Sequence, residues 1–321
     1  MKRKLFLLFV GCFFTITLFA QEKQKIIFDC DLGGDIDDAF AFALILASPE
    51  FEVLGFVMDQ GDTPKRAQVA CRMLYEVGRE DIPVVVGRKT NDYFTSQFHW
   101  AEGFDAVKPV RQDAADFIIE NLRKYPDEVV LFTVGPVPNM MDVIKKDPEA
   151  LKLAKQIYSM FGSFYMGYDT GPIISPEWNV RGDEVAAKMF VENGADITFA
   201  GLDVTTYVRL EESYRQKLLM RQSPLTNALT GLYTLWRYES YAHPDPVLHD
   251  VVAIGMFLWP ELFTTRPAHV KVIEGGYTVI DEGREPNGRI GMTIQKEKLL
   301  ELMMERLLTQ NMGRDQESPE H

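Results

Sequence analysis

The chain has 321 residues, a formal net charge of −13 at pH 7, and apolar side chains at 46% of its positions. This composition is enough to bury a large core, which excludes intrinsic disorder over most of the chain. The acidic balance excludes a general attraction for nucleic acid or for anionic membrane surfaces.

The first twenty residues differ from everything that follows. A basic start, Lys2-Arg3-Lys4, precedes 16 almost wholly apolar residues, and a polar run begins after Ala20. This layout predicts a secretory signal peptide over residues 1–20. An uncleaved anchor is the alternative, although the apolar run is shorter than the roughly 20 residues that a spanning helix needs. We therefore expect a secreted or periplasmic protein, free of the membrane, whose net charge after cleavage is −16.

Short apolar runs alternate with helical patterns over the first two thirds of the chain. This alternation predicts an α/β fold with an open, mainly parallel, Rossmann-like sheet and helices on both faces. The predicted strands are residues 25–30, 51–58, 82–86, 129–134 and 196–201, and the predicted helices between them are residues 37–47, 64–77, 113–124 and 183–193.

The last third of the chain follows a different pattern. It predicts helices over residues 224–242, 251–258 and 296–308, and a small hairpin between residues 268 and 295 that turns at Asp281-Glu282-Gly283. Residues 310–321 form a polar tail that is expected to fray. Because no repeat or linker interrupts them, residues 21–309 are expected to form a single domain.

The clearest chemical signal is the segment Asp29-Cys30-Asp31-Leu32-Gly33-Gly34-Asp35-Ile36-Asp37-Asp38. Its five carboxylates lie at the end of the first predicted strand and directly after it, and ligands bind at the carboxyl ends of strands in an open α/β sheet. Carboxylates this close repel one another unless a cation neutralises them. Oxygen ligands suit hard cations, with Ca²⁺ favoured over Mg²⁺ at a crowded site. Helix capping explains one or two aspartates but not five, so the segment predicts a metal site.

This segment resembles the opening motif of the inosine–uridine-preferring nucleoside hydrolases. Later segments resemble further motifs of the family in the same order, namely residues 133–139 (TVGPVPN), residues 177–179 (EWN) with Asp183, residues 201–205 (GLDVT), and His249-Asp250. The resemblance spans roughly residues 25 to 300. It implies cleavage of the N-glycosidic bond of a ribonucleoside, or a related ribosyl compound, by a metal-activated water. It also implies homodimers or homotetramers, which are common in the family.

The resemblance assigns roles to individual residues. The implied metal ligands are the side chains of Asp31, Asp38 and Asp250 and the backbone carbonyl of Val134. The implied substrate contacts are Asp37, Glu177, Asn179 and, near the nucleobase, His99. Asp31 would also act as the base toward the attacking water, and His249 would protonate the leaving base.

Three departures from the family motifs leave the substrate open. Asp31 and the Asp37-Asp38 pair are separated by two more residues than in the shorter form of the family motif. Asp35 is therefore an alternative for the metal or ribose role of Asp37. Asp62 stands where the family usually has an asparagine, which makes Asp62 a candidate substrate contact. Gly171 stands where the family places an asparagine that holds the ribose 5′-hydroxyl, and its loss would make room for a substituent. The nucleobase is not predicted.

Two other functions are compatible with parts of the pattern. A haloacid-dehalogenase-like phosphohydrolase also has a strand that ends in Asp-x-Asp, but Gly33 occupies the place where those enzymes usually have threonine or valine. A non-catalytic binding protein that keeps the fold is favoured by Gly171 and Asp62. Turnover that is lost on Asp31→Asn, with the fold retained, would separate an enzyme from a binding protein.

Overall fold

A computed structural model describes residues 22–239 and 243–314. Within these residues the strands are β1 (Gln24–Cys30), β2 (Phe51–Met58), β3 (Val84–Val86), β4 (Val129–Thr133), β5 (Gln156–Met160), β6 (Ile197–Ala200), β7 (Phe263–Ala268), β8 (Val270–Ile273), β9 (Tyr277–Ile280) and β10 (Gly288–Ile294). Eight of them form one sheet in the order β3-β2-β1-β4-β5-β6-β10-β7. All neighbours in it are parallel except β10 and β7. The predicted, mainly parallel α/β sheet is confirmed.

Helices cover both faces of this sheet. They are α1 (Asp37–Leu46), α2 (Thr63–Glu76), α3 (Ala114–Lys124), α4 (Pro138–Lys146), α5 (Trp178–Gly182), α6 (Glu184–Glu192), α7 (Leu202–Thr205), α8 (Glu212–Arg221), α9 (Pro224–Glu239), α10 (His249–Leu258) and α11 (Lys296–Thr309), with short 3₁₀ helices at Ser96–Ala101, Ala150–Leu153 and Pro260–Leu262. In the described part of the chain, none of the helices has the length and apolar character needed to cross a membrane.

The core is divided in two by the sheet. Successive side chains of a strand point to opposite faces, so Ile26 and Phe28 of β1 join one core while Ile27 joins the other. The first core is closed by α1, α2, α9, α10 and α11, and the second by α3, α4 and α6. Because β1 is buried on both faces, its sequence is a nearly continuous run of apolar residues.

Helix α1 packs more deeply than the other helices of the first core. All of its residues are buried, and the ring of Phe42 stacks on Phe56 of β2 with 3.8 Å between ring centroids. The helix begins at Asp37 and Asp38, the last two carboxylates of the acidic segment. Its packing therefore also determines where these two carboxylates lie.

Several helix boundaries differ by one residue from the prediction for a physical reason. Asp113 and Asp183 precede α3 and α6 as N-caps, and their carboxylates accept the backbone N–H groups of Asp116 (3.1 Å) and Ala186 (3.0 Å). A cap has non-helical backbone angles. The aspartates that mark the start of each helix are therefore not part of it.

The predicted turn of the C-terminal hairpin is wrong. Strands β8 and β9 pair antiparallel around Gly275 and Gly276, which both have positive φ angles. Glycine adopts this conformation without steric cost, so these two residues make the tight turn. The segment Asp281-Glu282-Gly283 instead leads from β9 to β10, which joins the main sheet.

The first part of the predicted frayed tail is packed against the protein. The Gln310 side-chain amide donates to Ser223 Oγ at 2.8 Å, and the Arg314 guanidinium lies 4.0 Å from the centroid of the Tyr75 ring. The predicted signal peptide, residues 240–242 of the predicted long helix, and residues 315–321 lie outside the described residues.

Replacement of Phe42 by alanine is expected to lower the free energy of unfolding by about 3–5 kcal/mol, because it removes a fully buried ring and leaves a cavity. Urea unfolding followed by circular dichroism measures this loss. Tyr238→Ala, at a position that is 73% exposed, serves as the control and should change stability by less than about 0.5 kcal/mol. Equal losses in the two variants would contradict the packing of α1.

Candidate active site

A cavity of about 660 Å³ opens at the carboxyl ends of the central strands. The strand order reverses between β1 and β4, which is where an open α/β sheet forms a crevice for ligands. The acidic segment lines this cavity together with side chains from distant parts of the chain. Nine residues predicted from the sequence as site residues line the cavity: Asp31, Asp35, Asp37, Asp38, Val134, Glu177, Asn179, His249 and Asp250.

Three buried carboxylates form a cluster with the geometry of a metal site. Asp37, Asp38 and Asp250 each place one oxygen within 4.8 Å of the others. All three lie in the first turn of a helix, α1 or α10, where the helix dipole favours negative charge. Burial, and then repulsion between neighbouring carboxylates, raise the pKa of each carboxyl well above its usual range.

This three-carboxylate cluster fits a hard divalent cation. The Asp38 Oδ1 atom is buried without a hydrogen-bond partner, and such an atom is costly unless an ion or water satisfies it. An all-oxygen set suits a hard cation such as Ca²⁺ or Mg²⁺. The structure also separates two residues that the sequence left as alternatives. Asp37 lies in the cluster, whereas Asp35 lines the cavity with its Oδ1 held by the N–H of Ile36 at 2.7 Å.

Asp31 is held from one side by Arg66, a residue that sequence reasoning did not single out. Arg66 Nη2 lies 3.6 Å from Asp31 Oδ2. The guanidinium also donates to the carbonyls of Leu32 (2.9 Å) and Gln60 (2.7 Å), which joins the loops after β1 and β2. Burial raises the pKa of Asp31, and the positive charge of Arg66 opposes this shift. The sequence feature that could have pointed to Arg66 is an arginine on the buried side of α2, the helix that follows β2.

A second layer of acidic groups lies behind Asp31. The Asn139 side-chain amide donates to Asp29 Oδ2 at 2.8 Å, and the N–H of Val137 donates to Asp59 Oδ2 at 2.9 Å. Burial raises the pKa of Asp29 to about 7. A Cβ atom on Gly135 would lie 2.9 Å from Asp59 Oδ2 and 3.2 Å from Asp31 Oδ1. The segment of residues 133–139 therefore serves to pack against the acidic loops, and its glycine permits the close approach.

Glu177 and Asn179 present hydrogen-bond acceptors to the cavity. The Glu177 carboxylate caps α5 by accepting the N–H groups of Asn179 (2.9 Å) and Val180 (3.2 Å). The Asn179 amide nitrogen donates to the carbonyls of Val134 (2.8 Å) and Met160 (3.0 Å). This orientation leaves the amide oxygen of Asn179 for a ligand. The Val134 carbonyl retains its second lone pair, so it is still able to bind a metal.

His249 is oriented by a hydroxyl from another motif. Its Nδ1 atom lies 2.8 Å from Thr205 Oγ1, and Thr205 belongs to the predicted segment of residues 201–205. Burial lowers the pKa of His249 to about 4, so the imidazole is neutral at neutral pH. With Nδ1 engaged by Thr205, Nε2 is the nitrogen available to a ligand.

Two predicted substrate contacts do not line the cavity. Asp62 caps α2, accepting the Lys65 N–H at 3.4 Å, and it pairs with Lys89 at 3.3 Å. His99 pairs with Glu102 at the surface, 2.9 Å away. Both side chains are thus engaged in local contacts that their sequence context did not reveal, and their positions do not support a substrate role.

Aromatic side chains surround the mouth of the cavity. Tyr93 is 68% exposed and Trp178 is 54% exposed, and Tyr168 lines the same opening. Trp178, the middle residue of the motif at residues 177–179, lies at the surface beside the cavity. Exposed aromatic rings at a cavity mouth suit a ligand with a flat, apolar part.

The switch point of this open α/β sheet presents clustered carboxylates, a histidine and polar acceptors. These groups define a small-molecule site suited to a metal-assisted hydrolase.

The profile of the family "Inosine-uridine preferring nucleoside hydrolase" matches residues 26–301. The chain is 29% identical to the pyrimidine-specific ribonucleoside hydrolase of Citrobacter koseri, with 88% of this chain and 97% of that one covered. It is also 29% identical to uridine nucleosidase 1 of Arabidopsis thaliana, with 82% and 83% covered.

A solved structure of a plant nucleoside hydrolase superposes with a TM-score of 0.79 at 26% identity, covering 89% of this chain and 99% of that one. The chain belongs to the inosine-uridine preferring nucleoside hydrolase family, a family of N-glycosyl hydrolases. This confirms the resemblance found in the motifs. The phosphohydrolase alternative is not supported.

The metal-free protein is expected to lose stability as the pH rises from 5 to 8. The folded-state pKa values of Asp37, Asp38 and Asp250 lie above their unfolded values. The folded state therefore binds more protons, and its stability falls as these protons are lost. Because calcium would neutralise the same charges, it should raise the melting temperature more at pH 8 than at pH 5. Calorimetry with chelator and with calcium measures both effects.

Asp38→Asn tests the cause of this pH dependence. The variant removes one buried charge, so its melting temperature at pH 8 without metal should rise by about 2–4 °C for each kcal/mol of repulsion removed. Its stabilisation by calcium should fall. Asp116→Asn, at an exposed ion pair with Lys146, is the control. An undiminished calcium effect in Asp38→Asn would contradict the assignment of the three-carboxylate cluster.

Proposed function

We propose that this protein hydrolyses the N-glycosidic bond of a ribonucleoside, or of a closely related ribosyl compound, with the help of calcium. The observation that carries this proposal is the convergence, in one cavity of a family member, of the three-carboxylate cluster with Asp31, Asn179 and His249. The names of two relatives, a pyrimidine-specific ribonucleoside hydrolase and a uridine nucleosidase, make pyrimidine ribonucleosides the first substrates to test.

Calcium would be held by carboxylates of the cluster, by Asp31 and by the Val134 carbonyl. When bound, such an ion balances the clustered negative charge and lowers the pKa of a water molecule. Asp31, positioned by Arg66, is the carboxylate that takes the proton of the attacking water. Its place beside the cluster and its contact with Arg66 support this role.

The remaining side chains act on the sugar and the leaving group. Glycosidic cleavage passes through a state with positive charge on the sugar, and acceptors that bind the ribose hydroxyls stabilise that charge. Asp37, Glu177 and the amide oxygen of Asn179 supply these acceptors. The Thr205 hydroxyl lies at His249 Nδ1. In the tautomer that accepts from Thr205, the neutral ring carries its hydrogen on Nε2 and would offer it as a hydrogen bond to the leaving base.

We also propose that the protein is exported and acts on nucleosides outside the cytoplasm, where the released bases and ribose serve salvage. The support is the N-terminal layout of a basic start, an apolar run and a polar continuation. Self-association into a dimer or tetramer is proposed from family membership.

Release of reducing sugar from a panel of ribonucleosides and 5′-substituted nucleosides tests the activity. We expect release in calcium and loss of release in chelator. Asp31→Asn should lower kcat by about 10²–10⁴-fold, the usual contribution of a general base. Asp81→Asn, at an exposed pair with Arg79, is the matched control and should retain wild-type rates.

The same experiment distinguishes the alternative function. Stoichiometric calcium binding without release from any compound would indicate a binding protein that has kept the fold and the metal. Wild-type rates in Asp31→Asn would overturn the role of Asp31 while leaving the hydrolase activity in place.

A further inference from the structure

The turn that contains Gly171 places an aromatic side chain in the cavity. The Gly167 N–H donates to the Gly171 carbonyl at 3.2 Å, and the Thr170 N–H donates to the Gly167 carbonyl at 3.1 Å. Tyr168 extends from this tight turn and lines the cavity. Gly171 is not among the lining residues, and a Cβ atom there would meet nothing within 4 Å. The turn thus supplies a phenol to the site, although its residue 171 supplies no side chain.

The hydroxyl of Tyr168 is fixed in position but retains a proton to donate. It accepts the Trp178 N–H at 2.8 Å and lies 3.5 Å from Glu177 Oε1. The second distance is long for an O–H···O hydrogen bond, so a hydroxyl of a ligand would compete well for both groups. Burial and the nearby Glu177 carboxylate raise the pKa of Tyr168, which keeps the phenol protonated.

Tyr168 and Glu177 together form a pair suited to a hydroxyl group. A hydroxyl both donates and accepts, and here the carboxylate accepts while the phenol donates. The Tyr168 ring also packs edge-on against the imidazole of His249, with 6.0 Å between ring centroids. The pair is therefore next to the histidine, and neither of its residues is a member of the three-carboxylate cluster.

The ribose of a nucleoside has two adjacent hydroxyls on the ring, at C2′ and C3′, and a third hydroxyl outside the ring, at C5′. We assign the C2′ and C3′ hydroxyls to the three-carboxylate cluster and Asn179. The hydroxyl on C5′ is then left for Glu177, the remaining one of the sugar acceptors named above. We propose that Tyr168 is a specificity-determining residue whose hydroxyl, with Glu177, binds the 5′-hydroxyl of the substrate. This inference rests on the proposed function, and it replaces the expectation that Gly171 leaves room for a 5′-substituent.

The test compares Tyr168→Phe with the wild type on the best ribonucleoside substrate and on its 5′-deoxy analogue. The variant keeps the ring and removes one oxygen. We expect kcat/KM on the ribonucleoside to fall about tenfold, mainly through KM, as for a lost hydrogen bond. The value on the 5′-deoxy analogue should stay within about twofold, since that compound lacks the partner group. Tyr165→Phe, in the same loop but with its hydroxyl on Arg266 outside the cavity, is the matched control.

Each outcome separates the two proposals. A selective loss on the ribonucleoside supports the role of Tyr168. Equal losses on both compounds, or no loss on either, overturn it and leave the hydrolase proposal standing. If the wild type hydrolyses neither compound, the proposed function fails and the assignment of Tyr168 fails with it. Melting temperatures of both variants within about 2 °C of the wild type establish that the fold is retained.

Discussion

Repulsion between buried carboxylates is the constraint around which this site is built. Asp29, Asp31, Asp37, Asp38 and Asp250 are all buried at one edge of the sheet, and burial raises the pKa of each. The fold opposes the repulsion in several ways. Helix N-termini face the cluster, Asn139 donates to the second layer, and the guanidinium of Arg66 lies beside Asp31. The charge that remains is what a divalent cation would balance, so the same feature that costs stability prepares the site for metal.

The architecture explains how distant residues meet at this edge. Parallel strands β1, β4 and β5 end on the same side of the sheet, and α1 and α10 begin there with their acidic first turns. Because α1 is buried on all sides, it has little freedom to relieve the repulsion by moving. The packing of Phe42 on Phe56 and the position of Asp37 and Asp38 are thus parts of one arrangement, in which core stability holds charged groups close together.

The substrate side of the cavity is less regular than the metal side. Its residues come from loops, where small changes in a turn alter which side chain enters the site. Residues 167–171 illustrate this, because the turn directs Tyr168 inward while Gly171 stays out of the lining. The local backbone also determines the positions of Asp62, which caps a helix, and of His99, which lies in a surface pair. Each residue stands near a family motif, but Asp62 contacts Lys65 and Lys89, and His99 contacts Glu102, rather than the cavity.

The sequence by itself determined the mainly parallel α/β fold, the acidic segment and the family. It did not predict β5 or β7 as strands, and it placed β10 in the small hairpin rather than in the main sheet. Apolar runs of β1 and β2, the aspartates before α3 and α6, and five ordered motifs are local signals that need no knowledge of contacts. The tertiary structure alone decided the partners of those motifs. It placed Asp37 rather than Asp35 in the cluster, brought Arg66 to Asp31, and set Thr205 on His249. It also moved the hairpin turn to Gly275 and Gly276. These outcomes depend on contacts between residues far apart in the chain, and a pattern of residue types along one strand or loop does not contain the distances between them.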